Sequence, residues 1–215
     1  MTEKVYVFGG GGTARDVLAY FKRAGVDAVV VVPVSEKSKA KKSFSSVIVE
    51  DEFFEELERS DKTMDVVVAV SQPVVKKKIV EKLLRWGERV RFENIFMSEM
   101  YFQGEYEIGR GCVVFPNVGA SDGVKIGNWV TINTGTWIPH DVFIGDYVTI
   151  EINVSISGLV FLDEGAIVGS GAVILPGVRV GKYAVVGAGA VVVKDVPDGA
   201  TVFGNPARVV FKKKV

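Results

Sequence analysis

The sequence predicts an α/β domain at the N-terminus, followed by an all-β C-terminal half that winds as a parallel β-helix. The β-helix is predicted by a repeat of six residues that runs from Ile108 to Val192. The α/β domain is predicted by apolar runs that alternate with amphipathic segments before residue 90, with a glycine loop between the first two. At 215 residues, 48% of them apolar, the chain is long enough to form two small cores.

The six-residue repeat places an aliphatic residue at every sixth position, with Ala120 as the one exception. These positions are Ile108, Val114, Ala120, Ile126, Ile132, Ile138, Ile144, Ile150, Ile156, Leu162, Val168, Ile174, Val180, Val186 and Val192. A second set of small or β-branched residues follows four places after each, beginning with Cys112. In a parallel β-helix three such hexads close one triangular coil, so residues 18 apart should stack. Independent hairpins would instead give turns at irregular spacing.

The N-terminal part has the order strand, glycine loop, helix. The segment Lys4 to Phe8 is a predicted strand, Gly9 to Gly12 follow it, and Thr13 to Ala24 is a predicted amphipathic helix. The same alternation continues along the chain, which predicts a small Rossmann-like domain with a parallel sheet over residues 1–90. Residues 90–106 are then expected to form a connecting stretch.

The glycine loop, Gly9-Gly-Gly-Gly-Thr-Ala14, follows a loose phosphate-binding pattern in which bare backbone amides meet a helix N-terminus. A tight turn needed only for packing is the other interpretation. A full dinucleotide site also expects an acidic residue at the end of the second strand. Here that end has the sequence Val32-Pro-Val-Ser35, without an acid. This argues against a nicotinamide cofactor and leaves a smaller phosphate ligand.

Composition argues against several classes of partner. The 26 basic and 26 acidic residues balance, so the net charge indicates neither a nucleic acid nor an anionic membrane as partner. The single histidine and the single Cys112 offer no usual transition-metal ligand set, and we expect no metal site. Neither a signal peptide nor an apolar run of membrane-spanning length precedes or interrupts these elements, and a cytoplasmic location is expected.

The hexads and the segment Gly204-Asn-Pro-Ala-Arg208 resemble the left-handed β-helix acyltransferases. The resemblance implies a left-handed coil over residues 106–195, with a C-terminal cap and tail over residues 196–215. It also implies acetyl-CoA as co-substrate, held between neighbouring subunits of a homotrimer. Carried over residue by residue, the acetyl-CoA contacts fall on Thr149, Ser170 and Ala188.

The whole chain is similar to the bacterial sugar acetyltransferases of the sialic-acid and bacillosamine pathways, in which a Rossmann-like half precedes the hexads. In that family the N-terminal half binds a nucleotide sugar. The resemblance places these substrate contacts on Gly11, Gly12, Thr13 and Ser71. Thr13 stands where the family usually has histidine, and Ser71 where it usually has glycine.

His140 is the only histidine, and its third place in a hexad predicts that it points away from the core. The segment from Asn133 to Asp146, Asn-Thr-Gly-Thr-Trp-Ile-Pro-His-Asp-Val-Phe-Ile-Gly-Asp, closely resembles the family's catalytic motif. There the histidine is the general base and the adjacent carboxylate orients it. The resemblance therefore assigns these two roles to His140 and Asp141.

The implied reaction moves an acetyl group from acetyl-CoA to the amino group of a nucleotide-linked amino sugar. O-acetylation of a sialic-acid-like sugar is the nearest alternative. A different class is a non-catalytic protein that binds a sugar nucleotide or CoA on the same fold. Threonine at positions 13 and 149, where the family usually has histidine, favours that class, whereas His140, Asp141 and the C-terminal segment favour an enzyme.

Overall fold

A computed structural model of the protein describes residues 4–98 and 101–212. The chain forms two compact units, Met1–Glu93 and Asn94–Val215. None of the helices in the described part of the chain is long and apolar enough to cross a membrane.

The N-terminal unit is the predicted α/β domain, with one parallel five-stranded sheet flanked by helices. Its elements are β1 (Val5–Phe8), α1 (Gly12–Ala24), β2 (Ala28–Val32), α2 (Lys37–Ala40), β3 (Val47–Val49), α3 (Glu50–Arg59), β4 (Met64–Val68), α4 (Pro73–Leu84) and β5 (Val90–Phe92). Short 3₁₀ helices lie at Val34–Glu36 and Gly87–Arg89. The strand order β3-β2-β1-β4-β5 places β1 beside β4. Because the strand order reverses there, the loops that leave β1 and β4 border the crevice where such sheets bind ligands.

The C-terminal unit is a left-handed β-helix. Each coil passes through three faces, and on each face the strands of successive coils pair in parallel. The β6 face contains β6 (Ile95–Phe96), β9 (Val113–Val114), β12 (Thr131–Ile132), β15 (Thr149–Ile150), β18 (Ile167–Val168), β21 (Val185–Val186), β23 (Ala200–Phe203) and β24 (Arg208–Lys212). The β7 face contains β7 (Tyr101–Phe102), β10 (Gly119–Ala120), β13 (Trp137–Ile138), β16 (Ser155–Ile156), β19 (Val173–Ile174) and β22 (Val191–Val192). The β8 face contains β8 (Tyr106–Ile108), β11 (Val124–Ile126), β14 (Phe143–Ile144), β17 (Phe161–Leu162) and β20 (Arg179–Val180).

The core of the β-helix is the predicted stack of residues 18 apart. On the β8 face Ile108 pairs with Ile126, Ile126 with Ile144, Ile144 with Leu162, and Leu162 with Val180. The hexad positions beyond Ile108 are buried, as is Cys112. Each buried aliphatic side chain contributes roughly 1.5–3 kcal/mol. In the described part of this unit, the stack holds the coils together without a helix.

The β-helix extends beyond the predicted range at both ends. The expected connecting stretch instead supplies β6, which pairs with β9, and β7, which pairs with β10. The hexad phase does continue there, because Phe96 and Phe102 stand 18 residues before Val114 and Ala120. At the other end β23 stacks on β21, and β24 folds back antiparallel to β23.

Candidate active site

His140 and Asp141 occupy the corner between β13 and β14, where the chain passes from the β7 face to the β8 face. Asp141 has φ +57°, a left-handed conformation that aspartate tolerates better than most residues. Its amide donates to the carbonyl of Asp122 at 3.1 Å, and the amide of Leu159 donates to the carbonyl of His140 at 3.2 Å. The corner is thereby hydrogen-bonded to the coils before and after it.

The two side chains form a pair on the outside of the coil, which for His140 is the orientation that its place in the hexad predicts. Nδ1 of His140 lies 3.0 Å from Oδ2 of Asp141. The side chains are 63% and 59% exposed, respectively. A carboxylate at Nδ1 favours the tautomer with hydrogen on that nitrogen, which leaves Nε2 as an acceptor. Nε2 is therefore the ring nitrogen able to take a proton from a substrate.

Ser170 and Ala188 lie one coil apart at the corner between the β6 face and the β7 face, and both are exposed. The amide of Gly189 donates to the carbonyl of Ser170 at 2.9 Å. A Cβ built on Gly171 or Gly189 would meet nothing within 4 Å, so this corner has open space beside its backbone.

Thr149 does not join this pair. It is the first residue of β15, and its side chain is fully buried. Its strand neighbours in register are Thr131 and Ile167. The expectation of a Thr149 contact with acetyl-CoA rests on the resemblance alone, because the burial removes its hydroxyl from the surface that Ser170 and Ala188 share.

The two outer corners lie along opposite edges of the β7 face. His140 is at the edge shared with the β8 face, whereas Ser170 and Ala188 are at the edge shared with the β6 face. A single chain therefore does not bring the predicted base and these predicted acetyl-CoA contacts to one corner.

The glycine loop borders a pocket of about 400 Å³ in the α/β unit. Gly9 has φ +136°, and a Cβ there would lie 2.6 Å from the carbonyl oxygen of Ala69, so this position requires glycine. Gly11 caps α1 without a side-chain hydrogen bond. A Cβ on Gly11 or Gly12 would meet nothing within 4 Å, so a ligand can approach these backbone amides closely.

All four predicted substrate residues line this pocket: Gly11, Gly12, Thr13 and Ser71. The hydroxyls of Thr13 and Ser71 lie 2.7 Å apart and join the first turn of α1 to the loop after β4. The resemblance drawn from the sequence places histidine and glycine at these two positions, whereas in this chain two hydroxyls meet there.

Glu36 corrects the expectation that the pocket has no acid near the end of β2. The 3₁₀ turn Val34–Glu36 carries its carboxylate back to the glycine loop, where Oε2 would lie 3.3 Å from a Cβ on Gly10. Lys39 of α2 also lines the pocket. The sequence prediction missed both because it considered only the residues up to Ser35. Pro33, which favours a turn directly after the strand, was the available signal.

The family described as bacterial transferase hexapeptide (six repeats) matches residues 160–194. A comparison with curated protein sequences gives no match. The hexapeptide match lies within the later coils, from β17 to β22.

Solved structures match the chain over nearly its whole length. WeeI from Acinetobacter baumannii AYE is 26% identical, with a TM-score of 0.83, over 97% of this chain and 100% of that chain. PerB from Caulobacter crescentus, in complex with CoA and GDP-perosamine, is 26% identical, with a TM-score of 0.84, over 97% of this chain and 98% of that chain. The acetyltransferase domain of PglB from Neisseria gonorrhoeae FA1090, in complex with acetyl coenzyme A, is 26% identical, with a TM-score of 0.83, over 98% and 100%.

These matches confirm the resemblance drawn from the hexads and from the order of the two halves. Both the α/β unit and the β-helix fall within the matched length. Residues 160–194 match the hexapeptide family, and the whole chain shares its two-part architecture with these solved structures.

Proposed function

We propose that this protein is an acetyltransferase that moves the acetyl group of acetyl-CoA to the amino group of a nucleotide-linked amino sugar. The observation that carries the proposal is the exposed pair of His140 and Asp141, with Nδ1 held at 3.0 Å and Nε2 available to a substrate. The solved complexes of similar proteins with CoA, acetyl coenzyme A and GDP-perosamine support the substrate classes. We expect the reaction in the cytoplasm, where acetyl-CoA is available.

The chemistry follows from the position of Nε2. The acceptor nitrogen attacks the thioester carbonyl, and Nε2 of His140 takes the proton that the amine loses. The new C–N bond forms and the C–S bond breaks. The proton then passes from the imidazolium to the departing CoA sulfur, which restores the base. Asp141 holds the ring orientation and stabilises the imidazolium.

We propose that the glycine pocket binds the nucleotide part of the acceptor. Backbone amides at Gly11 and Gly12 can donate to phosphate oxygens at the N-terminus of α1. The carboxylate of Glu36 can accept hydrogen bonds from ribose hydroxyls, the role that an acid near the second strand has in related sheets. The hydroxyls of Thr13 and Ser71 supply further polar contacts at the pocket edge.

Acetyl-CoA, in this proposal, lies against Ser170 and Ala188 of one subunit and reaches the base of its neighbour in a homotrimer. The separation of the two corners along the β7 face supports such a shared site. Exposed aromatic side chains on the β7 and β8 faces, Trp137, Phe143 and Phe161, offer apolar surface for the association. Sedimentation of a monomer across the micromolar range would contradict both the trimer and the shared site.

The decisive experiment is a thiol-release assay with acetyl-CoA across a panel of nucleotide-linked amino sugars and free sialic acids. Release with an amino sugar is the expected result, with an N-acetyl product identified by mass spectrometry. Release only with sialic acids would indicate O-acetylation instead. Binding of CoA without release on any acceptor would indicate a non-catalytic protein.

A further inference from the structure

The residue one coil beyond His140 at the same corner is Gly158. Both take the third place of a hexad, the place that begins each corner. This place is occupied in order by Arg110, Pro116, Asp122, Asn128, Thr134, His140, Asp146, Ile152, Gly158, Glu164, Ser170, Pro176, Lys182, Ala188 and Lys194. Gly158 is the only glycine in the series. The corner backbone therefore accepts side chains of every kind at this place.

Backbone conformation does not account for the glycine. The glycines with positive φ include those of the following corner place, such as Gly123 and Gly177, but not Gly158. An alanine at position 158 would thus adopt the observed backbone without strain.

The space above Gly158 is taken by the ring of His140. A Cβ built on Gly158 would lie 2.6 Å from Nε2, 2.7 Å from Cε1 and 3.3 Å from Cδ2 of that ring. Carbon atoms do not approach this closely, because favourable contacts begin near 3.5 Å. The strands of neighbouring coils are only about 4.8 Å apart, so an outward side chain can extend over the backbone of the next coil. The imidazole does so here, and the nitrogen closest to Gly158 is the one that Asp141 leaves free.

We propose that Gly158 is a positioning residue for the general base. Because Gly158 has no side chain, the His140 ring can occupy the space beside it, keep Nδ1 against Asp141 and present Nε2 to the acceptor. The proposal rests on the function proposed above. It assigns Gly158 no contact with a substrate. A methyl group at this position would displace the imidazole ring and separate Nδ1 from Asp141.

Because the chain has one histidine, the position of the ring can be followed without any assay of turnover. Nuclear magnetic resonance of the 15N- and 13C-labelled protein gives one set of imidazole signals. Gly158→Ala should move the Cε1 and Nε2 signals and leave the melting temperature close to that of the wild type. Gly187→Ala is the matched control: its Cβ would meet the half-exposed ring of Phe203 instead, and it should leave the imidazole signals in place.

Kinetics then connect the displacement to the reaction. Gly158→Ala should lower kcat by about 10- to 10²-fold, the range expected for a misplaced catalytic group, with the Kd for CoA unchanged. In the His140→Ala background the same substitution should change turnover less than about twofold, because no ring remains to be displaced. An equal loss in both backgrounds would overturn the proposal, since it would indicate that alanine obstructs a substrate.

The two proposals fail in different ways. A wild-type protein without turnover on any acceptor would refute the proposed acetyltransferase function. The imidazole signals of Gly158→Ala would still show whether Gly158 determines the position of the His140 ring. Wild-type turnover that depends on His140, with unmoved imidazole signals and full activity in Gly158→Ala, would refute the role of Gly158 alone.

Discussion

The corner at His140 and the pocket at the glycine loop are assembled in different ways. The corner belongs to a repeat, so a residue's place in its hexad already tells whether its side chain points inward or outward. The pocket collects residues from separate elements: the loop after β1, the turn after β2, α2 and the loop after β4. The comparison shows that a repeat makes a site predictable from spacing, whereas a sheet edge requires the path of each connecting loop to be known.

The largest expected effect is at the corner. His140→Ala should lower turnover by about 10²–10⁴-fold, the usual contribution of general acid–base catalysis. The melting temperature should hardly change, because the side chain is exposed and outside the core. Thiol release and thermal unfolding are the two measurements.

Lys182→Ala is the control, since this exposed residue has the same hexad place at a corner that holds neither candidate site. Retention of more than about a third of wild-type turnover by His140→Ala would show that the base lies elsewhere.

The next effect tests the stack that carries the corner. Ile126→Ala removes a buried side chain paired with Ile108 and Ile144, and it should lower the free energy of unfolding by about 2–5 kcal/mol. Lys125→Ala, on the outward side of the same strand, removes an exposed ion pair with Glu107 and should cost less than about 1 kcal/mol. Urea denaturation measures both. Equal losses would mean that the hexads do not form the core.

A smaller effect is expected at the carboxylate beside the base. Asp141→Asn keeps the left-handed corner, because asparagine tolerates positive φ, and it keeps an acceptor near Nδ1. The loss of charge should weaken that hydrogen bond by about 1 kcal/mol and lower kcat roughly tenfold or less. Isothermal titration should give an unchanged Kd for CoA. A loss as large as that of His140→Ala would instead make Asp141 an equal partner in the proton transfer.

Much of the β-helix could be predicted from sequence because burial there depends only on hexad phase. Two features of the β-helix show the limit of prediction from sequence. Ile95 and Phe96 begin a coil that an aliphatic-only pattern does not include, since an aromatic residue breaks it. Gly158 looks like any other glycine in a coil until the ring of His140 is seen to occupy the space above it.

In the α/β unit the sequence predicted the sheet and the glycine loop but not the acid of the pocket. Glu36 reaches the loop only because the chain turns through Val34–Glu36 immediately after β2. Neither the turn nor its direction follows from apolar periodicity. The burial of Thr149 could not be predicted for a related reason: the resemblance gives its place in the chain, while its burial depends on the tertiary structure around β15.

The smallest expected effect concerns Glu36, and its sign identifies the part of the nucleotide that the carboxylate meets. If Glu36 accepts from ribose hydroxyls, Glu36→Gln should raise the Kd for the nucleotide sugar about fivefold, because charge-assisted hydrogen bonds are roughly twice as strong as neutral ones. If the carboxylate instead lies beside a phosphate, loss of its negative charge should lower that Kd. Isothermal titration with the nucleotide sugar distinguishes the two, and titration with CoA is the control, since Ser170 and Ala188 belong to the other unit. An unchanged Kd would show that Glu36 does not contact the nucleotide sugar. Turnover at saturating acceptor should equal that of the wild type in every case, because in this proposal Glu36 contacts neither the amine nor the thioester.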